Sequence, residues 1–85
     1  NYALSLKGII FAAIFIEDSE QSIIKISFRS KGGFSVNQFS RNHYNGGGHN
    51  NAAGGKSYRS IQETITEFVS LLPKYQKALE ESYED

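Results

Sequence analysis

Apolar and polar positions change rhythm several times along the 85 residues of this chain. Ile9 to Ile16 is a continuous apolar run rich in β-branched and aromatic residues. Its length suits a strand buried on both faces better than a helix. Ile23 to Ser30 alternates instead, with Ile24, Ile26 and Phe28 on one face and Ile23, Lys25, Ser27 and Arg29 on the other. That period of two predicts a second strand, with Arg29 leaving its end on the more polar side. Glu17 to Ser22, between the two, is a polar connection of hairpin length. Ahead of them, Tyr2 to Leu6 reads as the tail of a helix, stopping before Gly8 in the position of a C-terminal glycine.

Lys31-Gly32-Gly33 breaks the second strand. Ser35 and Gln38 then stand at capping-box spacing, and Val36, Phe39, Ser40 and His43 follow at helical spacing, so a short helix should end by Tyr44. His43 on that stripe reads as a packed or half-exposed side chain rather than a ligand. A short strand is expected near Gly55 to Tyr58. Ser60 and Glu63 form a second capping box, opening a helix with Ile61, Ile65, Phe68, Val69 and Leu72 on one face. Pro73 is expected to end or kink it. Tyr75, Leu79 and Tyr83 repeat every four residues beyond it, which predicts a short acidic C-terminal helix.

A chain of this length forms one small domain, burying about 60–65% of its unfolded surface around a thin core. The absence of cysteine excludes a disulfide framework and a thiolate metal site. No stretch has the order of a signal peptide. The longest uncharged apolar run falls well short of the roughly 20 residues of a membrane span. A reducing, cytoplasmic setting without membrane contact is therefore expected. The chain opens on Asn1-Tyr2-Ala3-Leu4, without an initiator Met, and reads as a segment of a longer protein.

The zero net charge conceals a segregation. From Gln21 to Gln62 there are six bases, Lys25, Arg29, Lys31, Arg41, Lys56 and Arg59, and no acid. The flanks carry three bases and nine acids. A solvated face normally mixes its signs, so this window points to a polyanionic partner. Inside it lies Asn45-Gly46-Gly47-Gly48-His49-Asn50-Asn51-Ala52-Ala53-Gly54-Gly55, with five glycines in eleven residues. Such a backbone can reach positive φ and approach a ligand closely, and successive N–H groups can converge on a phosphate oxygen. The alternative is a flexible surface turn.

Catalytic apparatus is not in evidence. The central window has no carboxylate to hold metal or act as acid or base. His43 and His49 lack a third ligand. Gly46-Gly47-Gly48-His49 lacks the Lys-Ser/Thr ending of a P-loop, and no serine sits in a nucleophile-elbow pattern. Phe28, Phe34, Phe39 and Tyr44 could stack bases, although Phe28 and Phe39 fit the core better. The chain reads as a binder.

Ser27-Phe28-Arg29-Ser30, Val36-Asn37, Gly46-Gly47-Gly48-His49 and Ala52-Ala53-Gly54, in that order, resemble the DHH-associated C-terminal domain of the DHH phosphoesterases. The likeness runs from about Tyr2 to Leu72. It is closest to the branch of bifunctional oligoribonucleases (nanoRNases) and 3′-phosphoadenosine 5′-phosphate phosphatases. A related domain ends alanyl-tRNA synthetases, where the position of His49 is usually not histidine. That leaves a non-catalytic RNA- or tRNA-binding module as the alternative, and a scaffold whose glycine segment is only a turn as a third reading.

The resemblance implies an α+β fold, a small mixed β-sheet with packed helices, forming the C-terminal segment of a larger two-domain protein. It implies a separate N-terminal DHH domain holding Mn²⁺ on Asp and His ligands, with no cofactor in this segment. Arg29 and Ser30 would bind phosphate, Gly46, Gly47 and Gly48 would give close backbone approach, and His49 would contact phosphate or base. The implied partners are short RNA, a nucleotide or another phosphate-bearing ligand, together with the protein's own catalytic domain. A homodimer of the parent is compatible with it.

Overall fold

The computed structural model describes residues 2–6 and 9–83, and the side chains of 11–79 among them. In chain order the elements are β1 (Tyr2–Leu6), β2 (Ile9–Asp18), β3 (Ile23–Ser30), α1 (Val36–His43), β4 (Gly47–His49), β5 (Ala52–Ser57) and α2 (Ile61–Tyr83). The five strands form one sheet in the order β1-β2-β3-β5-β4. The α+β class holds, but every strand pair is antiparallel, so the sheet is not mixed. Parallel pairing would need a long crossover. Here α1 instead returns the chain to the sheet edge as a β4–β5 hairpin.

Tyr2 to Leu6 is a strand and not a helix tail. It pairs with β2 from Tyr2↔Ala13 to Leu6↔Ile9. Five residues rich in Leu and Ala suit either state, and the open edge of β2 decides between them. The expected capping role of Gly8 lies outside the described residues. In β2, Phe11, Ala13 and Phe15 are buried while Ile14 is 41% and Ile16 55% exposed. The run is thus covered on one face only, because α1 and α2 both lie on the same side of the sheet.

The β2–β3 hairpin turns on Asp18, whose Oδ1 accepts from the Glu20 and Gln21 amides at 3.1 and 3.2 Å. The Gln21 bond first, and then the neighbouring Lys25, hold the Asp18 carboxyl below the usual range, with a smaller part from the Glu20 bond. Ser35 caps α1 by accepting from Gln38 N at 3.2 Å. The box at α2 is reciprocal: Glu63 N donates to Ser60 Oγ at 3.1 Å and Ser60 N to Glu63 Oε1 at 3.3 Å. The short strand expected near Gly55 to Tyr58 is longer, running from Ala52 to Ser57.

Pro73 does not end α2, which continues to Tyr83 and absorbs the separate C-terminal helix expected there. Pro73 is exposed, so the Val69 carbonyl it leaves without a donor belongs to a solvent-facing stretch. Phe68 and Leu71 carry the buried face of α2, with Ile61, Ile65, Leu72 and Tyr75 packed partly against the core, while Val69 is 39% exposed. Leu79 is buried as expected; the side chain of Tyr83 lies outside the described ones. The core between sheet and helices is an aromatic cluster, in which Phe11 meets Phe34 at 5.0 Å, Phe39 at 5.2 Å and Phe68 at 5.6 Å between ring centres.

The helices are tied together by His43 Nε2 and the Tyr75 hydroxyl. His43 is half-buried against Phe39, and that burial lowers its pKa; Lys74 lowers it further, with Glu67 opposing. The unfolded chain therefore binds the proton more readily than the folded one. The resulting contribution to stability is present above the ordinary histidine value of 6.5 and is lost as pH falls below it. We expect the melting temperature to decline between about pH 7 and 5, and His43→Gln to flatten that decline. Tyr75→Phe should keep the slope and lower stability by about 1 kcal/mol throughout. A decline unchanged by His43→Gln would assign it to other groups.

Candidate functional site

The glycine segment is neither a cradle loop nor a flexible turn. It folds into β4, a turn at Asn50–Asn51, and β5. The turn docks on α1, with Val36 N donating to the Asn50 carbonyl at 2.8 Å and Ser35 Oγ to Asn50 Oδ1 at 3.2 Å. Close approach is indeed what the glycines allow, but the approach is between protein segments. A Cβ on Gly46 would run into the Gly54 carbonyl and Ser40 Oγ. One on Gly48, at φ +153°, would meet the Ala52 carbonyl oxygen at 2.7 Å. A Cβ on Gly55 would come within 2.7 Å of Tyr44 Cβ.

The amides are also engaged. Gly46 N donates to the Ser40 carbonyl at 3.3 Å and Gly48 N to Asn37 Oδ1 at 3.0 Å. Those two N–H groups cannot converge on a phosphate without giving up a protein partner. Gly47 differs, because a Cβ there would meet only side-chain atoms, Asn37 Oδ1 at 3.2 Å and Arg41 Nε at 3.3 Å.

What the hairpin does achieve is alignment. Arg29 pairs with Ala52, and Ala52 with His49, so the three occupy one cross-strand row. Directly opposed residues of an antiparallel sheet point the same way. Phe28 and Ala53, their neighbours in the chain, are buried, so this row lies on the face without helices. Arg29 and His49 are both exposed there, two strand spacings or about 10 Å apart. Arg29 Nη1 donates to the Phe28 carbonyl at 2.8 Å, which steadies the guanidinium at the strand end.

Ser30 faces the other way. It is buried, its hydroxyl donates to the Phe34 carbonyl at 2.8 Å and accepts from Asn51 Nδ2 at 3.0 Å. It braces the segment after β3 against the hairpin turn and does not share the Arg29 face. Arg41, which the sequence reading left out, joins the site edge instead. Asn37 Oδ1 accepts from Arg41 Nε at 3.1 Å and from Gly48 N, so one amide fixes both the cation and β4. The i, i+4 spacing of Asn37 and Arg41 was the available signal.

Charge segregation is only partly kept in space. Lys25 pairs with Asp18 at 3.2 Å, and Arg59 with Glu63 at 3.6 Å and Glu67 at 3.2 Å. Among the described residues, Arg29, Lys31, Arg41 and Lys56 form no ion pair. Glu63 and Glu67 thus lie on α2, in the helical layer, and Asp18 beside Lys25 on the open face, where Arg29 and Lys56 stand without an acidic partner among the described residues. None of Phe28, Phe34, Phe39 and Tyr44 can stack a base, since all four are buried. The Tyr44 hydroxyl is buried, and that burial together with the nearby Glu67 pushes its pKa up.

Among the described residues no three His, Cys, Asp or Glu side chains are placed to hold a metal ion. No helix among them is long and apolar enough to cross a membrane. The family model described as the DHHA1 domain matches residues 2–78. Among solved structures, an exopolyphosphatase-related protein from Bacteroides fragilis is similar, at 41% identity and a TM-score of 0.75. The likeness covers 82% of this chain and 20% of that one, so the chain spans about a fifth of its relative's length. No curated protein matches.

Proposed function

Because the chain belongs to the DHHA1 (DHH-associated) domain family, we propose that it is the substrate-binding domain of a DHH-type phosphoesterase. In this reading it holds the phosphate of a short oligoribonucleotide or of 3′-phosphoadenosine 5′-phosphate. The observation that carries it is the row Arg29–Ala52–His49, which sets two exposed nitrogen-bearing side chains on the open face of the sheet. A guanidinium fixed at its base can meet a phosphate with two parallel N–H donors, and His49 can add a third from the next strand but one. Arg41, held by Asn37, would supply further positive charge at the edge beside Gly47.

Attack on phosphorus belongs, in this proposal, to a separate catalytic domain, whose Asp and His ligands would hold Mn²⁺. This domain would position the phosphate and neutralise its charge as that cleft closes. The similarity to an exopolyphosphatase-related protein favours this reading over that of an RNA-binding module like the one ending alanyl-tRNA synthetases. The cytoplasm is the setting such a ligand would require.

The test is nucleotide binding at two ionic strengths. Affinity for 3′-phosphoadenosine 5′-phosphate should fall as salt rises. Arg29→Ala should weaken it about 10- to 100-fold, the equivalent of roughly 1.5–3 kcal/mol for a charged hydrogen bond. Arg29→Lys should recover only part of that. Lys74→Ala, in the helical layer, should change nothing. Binding indifferent to salt and to Arg29 would remove the proposal.

A further inference from the structure

In the helical layer, on the side of the sheet away from the Arg29 row, α1 and α2 border a cleft of about 390 Å³. Phe34 and Phe39, both buried, form its floor. Tyr75 stands edge-on to them, 5.7 Å from Phe34 and 5.0 Å from Phe39 between ring centres, and its hydroxyl is held by His43. At the mouth, Gly33 and Ala78 are exposed and have no bulk to close it. The rim is made of carboxamides. Gln38 and Asn42 stand one turn apart on α1, and Asn50 joins them from the hairpin turn, all three exposed. Ser60 and Glu63 close their capping box in both directions, but Ser35 and Gln38 close only half of theirs. Gln38 N donates to Ser35 Oγ, while the Gln38 carboxamide makes no hydrogen bond among the described residues. The same holds for the Asn42 carboxamide, and Asn50 engages only its Oδ1, toward Ser35 Oγ.

One exposed carboxamide is ordinary surface, but three of them around an aromatic floor describe a particular ligand. Among the described residues no charged side chain lines this cleft. Two other clefts differ in that respect, one along α2 lined by Arg59, Glu63 and Glu67, the other beside the β2–β3 turn lined by Glu17, Asp18 and Arg59. We infer that the neutral cleft is a second ligand site, for an uncharged planar heterocycle of the nucleobase class, presented as a nucleoside. Its volume suits such a ligand, and an apolar bottom with a few convergent polar groups is the usual make-up of a small-molecule site. The heterocycle lies against the edges and faces of Phe34, Phe39 and Tyr75. Each free carboxamide presents an acceptor beside two donors, the complement of an edge such as adenine N6 and N7. A phosphate finds no cation here, a free sugar has no flat face for the floor, and a plain aromatic ring has no edge for the rim. The site shares no residue with the Arg29 row and does not rest on the phosphate contacts proposed there.

Titration of the ¹⁵N-labelled protein with adenosine, followed by nuclear magnetic resonance, tests this. The side-chain amide signals of Gln38, Asn42 and Asn50 should shift, while the backbone signals of Arg29 and His49 stay in place. Affinity should be indifferent to salt, because no charge is paired. Gln38→Ala and Asn42→Ala, at exposed helix positions that favour alanine, should each weaken binding about three- to tenfold at an undiminished melting temperature. Ala78→Leu, which fills the mouth from an exposed position on α2, should remove binding. Where Ala78→Leu lowers the melting temperature, the two alanine variants decide.

Ribose and phenol serve as controls. Phenol binding as tightly as adenosine, and untouched by the loss of either carboxamide, would make the cleft an apolar crevice and overturn the assignment. Ribose competing as strongly as adenosine would transfer the site to sugars, with the same consequence. Shifts that appear at Arg29 and His49 instead, and vanish in Arg29→Ala, would put adenosine on the open face and remove the second site. A folded protein that shows no shift at millimolar adenosine would remove it too.

Discussion

Gly46→Ala should unfold the protein far more readily than Gly47→Ala, although the two glycines are adjacent. The Cβ of an alanine at 46 would be driven into the Gly54 carbonyl, with the Gly54 carbonyl carbon at 2.7 Å and Ser40 Oγ also in contact. Two of those atoms are backbone in the β5 strand, which is fixed by its pairing to β3 through Ser27↔Gly54. Relief requires the β4–β5 hairpin to move off α1, giving up the Gly46 N bond to Ser40 and the Ser40 hydroxyl's bond to Gly54. Overpacking of this kind costs about 1–3 kcal/mol, and rigid neighbours put it at the upper end. In a domain this small, roughly 3 kcal/mol lowers the melting temperature by about 10–20 °C. At Gly47 the new methyl meets only the ends of Asn37 and Arg41. Thermal melts should therefore show a change of only a few degrees for Gly47→Ala. Ligand affinity should nevertheless fall, because displacing Asn37 frees the Arg41 guanidinium and the Gly48 amide that it holds. Equal melting temperatures for the two variants would overturn this account of the hairpin.

The same residues show how far the sequence could be read. The alternation in Ile23 to Ser30 placed Arg29 on the polar face of a strand, and the register puts it there. Both capping serines were legible because a cap is a local arrangement with a fixed spacing. The glycines were legible as close-approach positions, but the thing approached was not, since Gly54 and Ala52 come against them only after the hairpin forms. Ser30 illustrates the same limit. The family resemblance gave it a phosphate-binding role beside Arg29, yet a strand sends successive side chains to opposite faces, and Ser30 ends at Phe34 and Asn51. Charge was legible as a total and not as a pattern, because Arg59 and Lys25 find acids from outside the basic window. Ile9 to Ile16 was misread as two-sided for a related reason: nothing in a continuous apolar run says how many layers the fold will have. The isoleucines that resulted, Ile14 and Ile16, stand exposed on the open face.

Phe28→Ala should be the most damaging of the core changes to the site, since Phe28 lies at the back of it. Its ring is fully buried, 5.4 Å from Phe39 and 5.5 Å from Tyr44 between centres, while its carbonyl receives Arg29 Nη1. Truncation removes the ring that links the sheet to α1 and leaves a cavity the sheet can close only by shifting β3. Large-to-small changes at buried phenylalanines cost about 3–5 kcal/mol. That is much of the whole stability of a small domain, commonly about 5–15 kcal/mol. Denaturant titration should show the midpoint falling with the slope nearly unchanged, as expected for lost packing rather than an altered unfolded state. Phe28→Leu should retain most of the volume and lose only about 1–2 kcal/mol. Because β3 carries Arg29, Phe28→Leu should also weaken nucleotide binding modestly under conditions where the protein is fully folded. Arg29→Ala should show the complementary pattern, with affinity lost and the midpoint nearly unmoved. A Phe28→Leu variant that binds like the unaltered protein would mean that Arg29 is placed by its own strand pairing, independently of the core beneath it.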